Sequence, residues 1–140
     1  MDNKPYLYWH IQHLDQIGGT EMVSTDLMNH LVDDFHIVCI VTAKVENEPV
    51  YSLDKSIEIF NLNIPQDVTR LDAYALKNKK AKKGYKNIGL FFKAAHYFFF
   101  KKHKYRKMIK KLIDQHPGKL ISSSGDSYMF APKHVYSIFH

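Results

Sequence analysis

A pair of glycines between an apolar run and an amphipathic pattern is the feature that most restricts how this chain can fold. The run at residues 6–12 is short, aromatic and bounded by polar residues, which is typical of a buried strand. After Gly18 and Gly19, apolar residues recur at helical spacing and predict a helix with one apolar face. These residues are Val23, Leu27, Met28, Leu31 and Val32. A strand, a bare turn and a helix in this order let main-chain N–H groups approach an anion.

The remaining segments continue the alternation of strands and helices. Residues 35–42 are nearly all apolar, as expected of a strand covered on both faces, whereas residues 56–62 alternate and predict a strand nearer an edge. Helical composition dominates residues 71–116, and Pro117-Gly118 is a helix stop. Two further strands are predicted at residues 119–124 and 135–139. We therefore predict an α/β fold, a Rossmann-like three-layer domain with a mostly parallel sheet of about five strands.

Ligands of such sheets bind at the carboxyl ends of the strands. That edge is expected to gather the Gly18-Gly19 turn, Thr42, residues 122–125 and His140. His10 and His13 flank the turn, and we expect one of them to face the cleft. Asp15 is a candidate for a hydrogen bond to a ligand, and the alternative is an ordinary solvated loop acid.

Composition limits the possible functions. The 140 residues, 45% hydrophobic and 14% aromatic, suffice for one domain with a real core. Cys39 is the only cysteine and lies in an apolar strand, so a buried, inert thiol is predicted. The amino terminus lacks the pattern of a signal peptide, and no apolar stretch is long enough to span a membrane. The histidines show no metal-ligand spacing, the glycine turn lacks the remainder of a dinucleotide or P-loop fingerprint, and no nucleophile elbow is present. We predict no metal site and no cofactor.

Charge is distributed very unevenly along the chain. Residues 77–111 contain 14 Lys or Arg and no acid, which leaves 6 basic and 14 acidic residues elsewhere, a net charge of −8. Aromatic side chains are interleaved with these lysines, a pattern that suits an anionic bilayer surface. The alternatives are a core-packing helix with a solvated lysine face, and a nucleic-acid surface. The last is disfavoured because only Arg106 among the 14 is an arginine.

The order of Gly-Gly-Thr-Glu at a helix start, then FHIVCIVT, then SIEIFNL resembles the amino-terminal domain of family-4 glycosyltransferases, which have the GT-B architecture of two facing Rossmann-like domains. The resemblance covers most of residues 6–62 and resumes at residues 119–125 and at the last strand before His140. It implies an acceptor-side domain of a nucleotide-sugar-dependent enzyme that transfers a sugar to a cell-envelope or polysaccharide acceptor. The nucleotide sugar is then a substrate, and the acceptor is a glycan or a lipid-linked molecule.

The resemblance also assigns residues. Gly18, Gly19, Thr20 and Glu21 match the part of the family that lies beside the donor diphosphate and the acceptor, and His140 matches a histidine close to the transferred sugar. The turn alone is equally compatible with no ligand, Glu21 with a favourable helix-dipole interaction, and His140 with a frayed terminal residue. Family members often dock on membranes through basic helices, which implies a cytoplasmic protein, peripheral on the inner face of the cell membrane. The lysines assigned to membrane or anion contact are Lys79, Lys80, Lys82, Lys83, Lys101, Lys102 and Lys104.

The second domain of that family is absent from these 140 residues, as is its pair of glutamates seven residues apart. We therefore interpret residues 1–140 as a partial amino-terminal Rossmann-like domain with a basic helical insert at about residues 71–116. A second Rossmann-like domain is expected, and this chain alone is expected to be inactive. The alternative is a non-catalytic module that binds a membrane or a partner through its basic aromatic surface.

Overall fold

One parallel sheet organises the domain, and β1 is its central strand. The computed structural model describes residues 3–64, 92, 96, 102–123 and 137–139. The elements are β1 (Tyr6–Ile11), α1 (Gly19–Leu31), β2 (His36–Ala43), β3 (Glu58–Ile64), α2 (Lys102–Gln115), β4 (Gly118–Ser122) and β5 (Ser137–Phe139). The strand order is β3-β2-β1-β4-β5, and every described pairing is parallel. Four strands have five to eight residues, and the three-residue β5 extends the sheet beyond β4. The predicted Rossmann-like α/β class is confirmed.

The predicted strands are present with small shifts at their ends. β2 begins one residue later than predicted and ends one residue later, and β3 runs from Glu58 to Ile64 rather than over residues 56–62. β3 is an edge strand, as its alternating pattern predicts, and β2 is buried along nearly its whole length. α2 ends at Gln115, directly before the predicted stop. Within the predicted helical region, residues 71–101 lie outside the described residues, except for residues 92 and 96.

α1 and α2 cover opposite faces of the sheet. Tyr105, Ile109 and Ile113 of α2 pack in one cluster with Tyr8, Val38, Ile40, Leu62, Ile64 and Leu120. Met28 of α1 packs in the other cluster with Leu7, Trp9, Ile11, Ile37, Cys39 and Val41. Alternate residues of the same strands supply the two clusters, as the pleat of a strand requires. The result is the three-layer arrangement expected of crossovers that pass on both sides of a parallel sheet.

The face of α1 that packs on the sheet differs from the predicted one. Val23 and Leu27 are 52% and 43% exposed, whereas Ser24, Thr25 and Met28 are buried. Met28 also belongs to the predicted stripe, and Leu31 and Val32 are partly buried against the core, so these three residues of the stripe are confirmed. The buried side is therefore rotated by about one residue, and small polar side chains take the positions closest to the strands.

Two local features shape the ends of the strands. A carbon atom added at Gly118 would collide with the main-chain carbonyl of Tyr6, its partner in the β1–β4 register, so the close approach of the two strands requires glycine there. At the opposite end, Asn63 has a φ of 53° where the β2–β3 register shifts. Asparagine tolerates this left-handed conformation, and the extra residue makes a β-bulge at the carboxyl end of β3.

Cys39 is fully buried, and its burial raises the pKa of the thiol to about 12. A thiol with so high a pKa is protonated at neutral pH and is a poor nucleophile. The predicted buried cysteine is confirmed. None of the helices within the described residues combines the length and apolarity needed to cross a membrane.

Tyr8 joins the central strand to the end of α2. Its side chain is buried, and its hydroxyl donates hydrogen bonds to the carbonyl oxygens of Leu112, at 3.2 Å, and His116. Leu112 lies in the last turn of α2, where its carbonyl also accepts the N–H of His116 at 3.4 Å, and His116 directly follows the helix. One buried phenol thus provides both core packing and a helix C-terminal contact.

We expect Tyr8→Phe to lower the free energy of unfolding by about 1 kcal/mol, the usual net value of such a hydrogen bond. Desolvation on burial, followed by Tyr6 and Glu58, raises the pKa of Tyr8 from 10.0 to about 12. The folded state therefore holds this proton more tightly. Its contribution to stability is complete below pH 10 and is lost as the pH rises through about 12. Urea titrations at neutral and alkaline pH measure both effects.

Tyr51→Phe is the matched control, since the hydroxyl of Tyr51 lies 3.5 Å from the carbonyl oxygen of Gly18, at the limit of a hydrogen bond. Its removal is expected to change the unfolding free energy very little. Equal losses in the two variants, or an alkaline decline in stability that Tyr8→Phe leaves unchanged, would contradict the assigned role of Tyr8.

Candidate functional site

The carboxyl ends of all the strands lie along one edge of the sheet because every described pairing is parallel. β1 lies between β2, which follows α1, and β4, which follows α2. Since α1 and α2 pack on opposite faces, the chain leaves the sheet in opposite directions on the two sides of β1. Such a switch point opens a crevice above the strand ends, where ligands of doubly wound sheets bind.

The glycine turn lies in the loop between β1 and α1, which follows the carboxyl end of β1. Gly18 is the N-cap of α1, and the first helical bond runs from the N–H of Met22 to the carbonyl of Gly18 at 3.0 Å. The N–H groups of Gly19, Thr20 and Glu21 precede that bond and have no partner within the helix. Gly19 and Thr20 are exposed, and apart from its chain neighbours and the backbone of its own helix, no heavy atom lies within 4 Å of a carbon added at Gly19. This helix start is therefore open to a ligand on the side of Gly19.

Gly18 is covered by the side chain of Glu21. A carbon added at Gly18 would collide with the Glu21 carboxylate, so that carboxylate lies directly over the turn. No side chain caps the helix through a hydrogen bond. A carboxylate in the first turn interacts favourably with the positive end of the helix dipole, which agrees with the dipole interpretation of Glu21. An anion that approaches Gly18 would require the Glu21 side chain to rotate away.

The loop that carries the glycine turn is held by the segment after β2. The N–H of Ala43 donates to the carbonyl of Gln12 at 3.0 Å, and the N–H of Val50 donates to the carbonyl of Leu14 at 2.9 Å. Asp15 accepts a hydrogen bond from the main-chain N–H of Glu46 at 3.2 Å. The carboxylate of Asp15 therefore has a structural partner in the loop. Leu14 is buried and anchors the loop to the core on the α1 side.

Three buried polar side chains lie at the ends of the three central strands, on the side of the sheet that α2 covers. They are His10, Thr42 and Ser122, which are 0%, 4% and 1% exposed. The ring nitrogen Nε2 of His10 lies 2.6 Å from the hydroxyl of Thr42, and Ser122 is the partner of His10 in the β1–β4 register. Below them the same face is apolar, with Tyr8, Ile40 and Leu120. On this side of the sheet, buried polar side chains therefore replace apolar ones at the carboxyl ends of the strands.

The carbonyl of His10 joins the third strand to this set. Both the main-chain N–H and the hydroxyl of Ser123 donate to it, at 3.0 and 3.1 Å. His10 therefore contacts β2 through its ring and the end of β4 through its backbone. These contacts join the ends of three neighbouring strands.

The structure brings together the predicted turn, Thr42, Ser122 and Ser123 at one edge. Ser124, Gly125 and His140 lie outside the described residues, and so do Lys79, Lys80, Lys82, Lys83 and Lys101; Lys102 begins α2, but its side chain is not described. Among the described residues, no group of three His, Cys, Asp or Glu side chains is arranged to hold a metal ion. The part played by His10 exceeds what the sequence analysis predicted for it, although its place two residues after Tyr8 puts it on the same face.

α2 presents a basic outer surface. His103, Lys104, Lys107, Lys110 and Lys111 are exposed, while Tyr105 and Ile109 face the core. Lys110 pairs with Asp114 at 2.6 Å, one turn further along. Lys104, Lys107 and Lys111 form no ion pair within the described residues and are named here the α2 face.

No protein-family model matches this chain, and no curated protein matches it.

We expect Thr42→Val to lower the free energy of unfolding by about 1–3 kcal/mol, because the buried ring nitrogen of His10 loses the hydroxyl that it contacts. Thr42→Ser keeps the hydroxyl and should lose about 1 kcal/mol or less, for one buried methyl group. Urea-induced unfolding measures both.

Thr25→Val supplies a matched control at a second buried threonine. Its hydroxyl has no hydrogen-bond partner within the described residues, and the side chain is 2% exposed. Replacement of an unpaired buried hydroxyl by a methyl group is expected to be neutral or stabilising. If Thr42→Val changed the free energy of unfolding as little as Thr25→Val, the contact between His10 and Thr42 would not contribute to stability.

Proposed function

We propose that this chain is the acceptor-side domain of a nucleotide-sugar-dependent glycosyltransferase, which transfers a sugar to a cell-envelope or polysaccharide acceptor. The observation that supports this function best is the open turn at Gly19, at the start of a helix and at the switch point of a parallel sheet. The order of the glycine turn and the two following strands, which resembles family-4 glycosyltransferases, also supports it.

The chemistry of sugar transfer suits this arrangement. Cleavage of the bond between a sugar and a nucleoside diphosphate develops negative charge on the departing diphosphate. Main-chain N–H groups at a helix start, together with the helix dipole, stabilise charge at that position. In the proposal, Gly18, Gly19 and Thr20 face the diphosphate, and Glu21 turns aside or contacts the acceptor. His140, which directly follows β5, is proposed to act near the transferred sugar.

The proposal assigns catalysis to this domain together with a second Rossmann-like domain. Closure of a cleft around a donor requires a facing wall that excludes water, since the stabilising N–H groups act most strongly at low dielectric. The contact of His10 with Thr42 and the two hydrogen bonds from Ser123 to the His10 carbonyl join three strand ends, which would form the floor of this cleft.

A second candidate function, binding to an anionic membrane surface, is supported by the α2 face. Three lysines without ion pairs in the described residues project from the outer side of a helix whose inner side is core. Each basic residue near an anionic bilayer contributes roughly 1 kcal/mol. Both functions are compatible, because the α2 face lies on the side of the sheet opposite α1.

We expect the chain to bind UDP, and Gly19→Val to raise the dissociation constant by at least about tenfold, because a branched side chain blocks the approach of a phosphate. A Cβ at Gly19 meets no atom beyond its chain neighbours and its own helix backbone, so we expect the substitution to leave folding intact. Isothermal titration calorimetry measures binding, and urea unfolding verifies the fold.

His30→Val, at an exposed position in the last turn of the same helix, is the control and should bind UDP as the unmodified chain does. Unchanged affinity in Gly19→Val would remove the turn from the site. An unmodified chain that binds no UDP at millimolar concentration would contradict the diphosphate role of this domain.

For the membrane candidate, we expect the chain to sediment with vesicles that contain anionic lipid and not with neutral vesicles. Substitution of Lys104, Lys107 and Lys111 by Gln should weaken this binding by about a hundredfold, at roughly 1 kcal/mol per residue. Lys44→Gln with Lys55→Gln, at exposed positions between β2 and β3, is the control for lost charge. Equal binding to both kinds of vesicle, or equal effects of the two sets, would argue against the α2 face.

A further inference from the structure

The outer side of α1 carries apolar side chains that the fold leaves in water. Ile17, Met22, Val23 and Leu27 are 86%, 46%, 52% and 43% exposed. Val23 and Leu27 are one turn apart, and Met22 adjoins Val23. Ile17 and Met22 occupy the positions on either side of the first turn whose side chains adjoin at a helix start. Asp26 is one turn from Met22 and lies between Met22 and the pair Val23 and Leu27, so these apolar side chains and one carboxylate form a mixed stripe on the outer side of α1.

The charges around this stripe have one sign. Glu21, Asp26, Asp33 and Asp34 lie on or beside α1, and no Lys or Arg occurs between residues 5 and 43. Within the described residues, none of these four carboxylates forms an ion pair. We name Ile17, Met22, Val23 and Leu27 with Glu21 and Asp26 the α1 face. A surface with this composition is complementary to one that combines cationic groups with aliphatic chains.

The same chain presents such a surface on the other side of its sheet. The α2 face consists of lysines, whose four-carbon chains cover apolar surface while their ammonium groups reach carboxylates. Its charges are as uncompensated within the described residues as those of the α1 face. We propose that the α1 face of one molecule binds the α2 face of a second copy of this chain. This proposal does not depend on the glycosyltransferase assignment.

The geometry determines the kind of assembly. Because α1 and α2 cover opposite faces of the sheet, the contact joins two different surfaces and cannot close about a twofold axis. Copies add head to tail, and the growing assembly keeps a free α1 face at one end and a free α2 face at the other. The association weakens with salt, since a Debye length of about 3 Å at 1 M screens the exposed pairs.

Complementation between single-face variants tests the proposal. One variant carries Val23→Gln, Asp26→Asn and Leu27→Gln, and the other carries Lys104→Gln, Lys107→Gln and Lys111→Gln. All six side chains are exposed, so both variants are expected to fold, and urea unfolding checks this. Analytical ultracentrifugation without lipid, at low salt and at up to about 1 mM chain, measures association.

The unmodified chain is expected to show a sedimentation coefficient that rises continuously with concentration and falls with salt. Each variant alone is expected to be monomeric. An equimolar mixture should form a 1:1 dimer and nothing larger, because one intact α1 face meets one intact α2 face. A third variant, with Glu46→Gln, Glu48→Gln and Val50→Gln, removes acidic and apolar side chains elsewhere and should associate as the unmodified chain does.

Three results would overturn the proposal. These are an unmodified chain that stays monomeric throughout the concentration range, a single-face variant that still associates, and a mixture that forms no dimer. Association of the unmodified chain that both single-face variants retain would assign the contact to another surface.

Discussion

The parallel pairing of β1 with β2 and β4 is the constraint on which the rest of the structure depends. It brings residues separated by more than a hundred positions, such as His10 and Ser123, into hydrogen-bond contact at one edge. The same pairing leaves β1 buried on both faces, so that its odd and even residues must serve two different helices. The glycine turn follows the central strand of the sheet, which places it at the edge where parallel sheets bind ligands.

Polarity at the strand ends has a physical cost that shapes the domain. A buried imidazole and two buried hydroxyls lose the hydrogen bonds of water and need partners inside the protein. The contact of His10 with Thr42 supplies one of them at 2.6 Å. Purely apolar ends would pack without this requirement, so the polar set is more easily explained by the crevice above it than by the core below it.

The sequence predicts the sheet well and the helix orientation poorly. β2 is recognisable because a strand covered on both sides must be apolar throughout, and β3 because an edge strand alternates. For α1, the spacing of apolar residues wrongly predicts that Val23 and Leu27 are buried. Close packing on the sheet favours small side chains, and Ser24 and Thr25 take those positions. The larger Val23 and Leu27 are displaced to the outside. Hydrophobicity alone cannot distinguish a helix face that packs closely on the sheet from one that stays exposed.

The site could be predicted in its main-chain part and not in its side chains. The position of a glycine pair after a strand is enough to place a bare helix start at the edge of the sheet, as found for Gly19. The contacts of Asp15 and Glu21 could not be predicted, because they depend on how the segment after β2 lies over the loop and on the rotamer of one side chain.

The Glu21 carboxylate determines how the glycine turn can bind an anion. It lies over Gly18 and satisfies the helix dipole, so the free protein already holds a negative charge where an anion would bind. A phosphate must therefore displace an internal carboxylate rather than fill an empty place, which reduces the affinity for anions in general. A ligand that binds well must add contacts elsewhere in the crevice, and the open side of Gly19 is where such contacts are available.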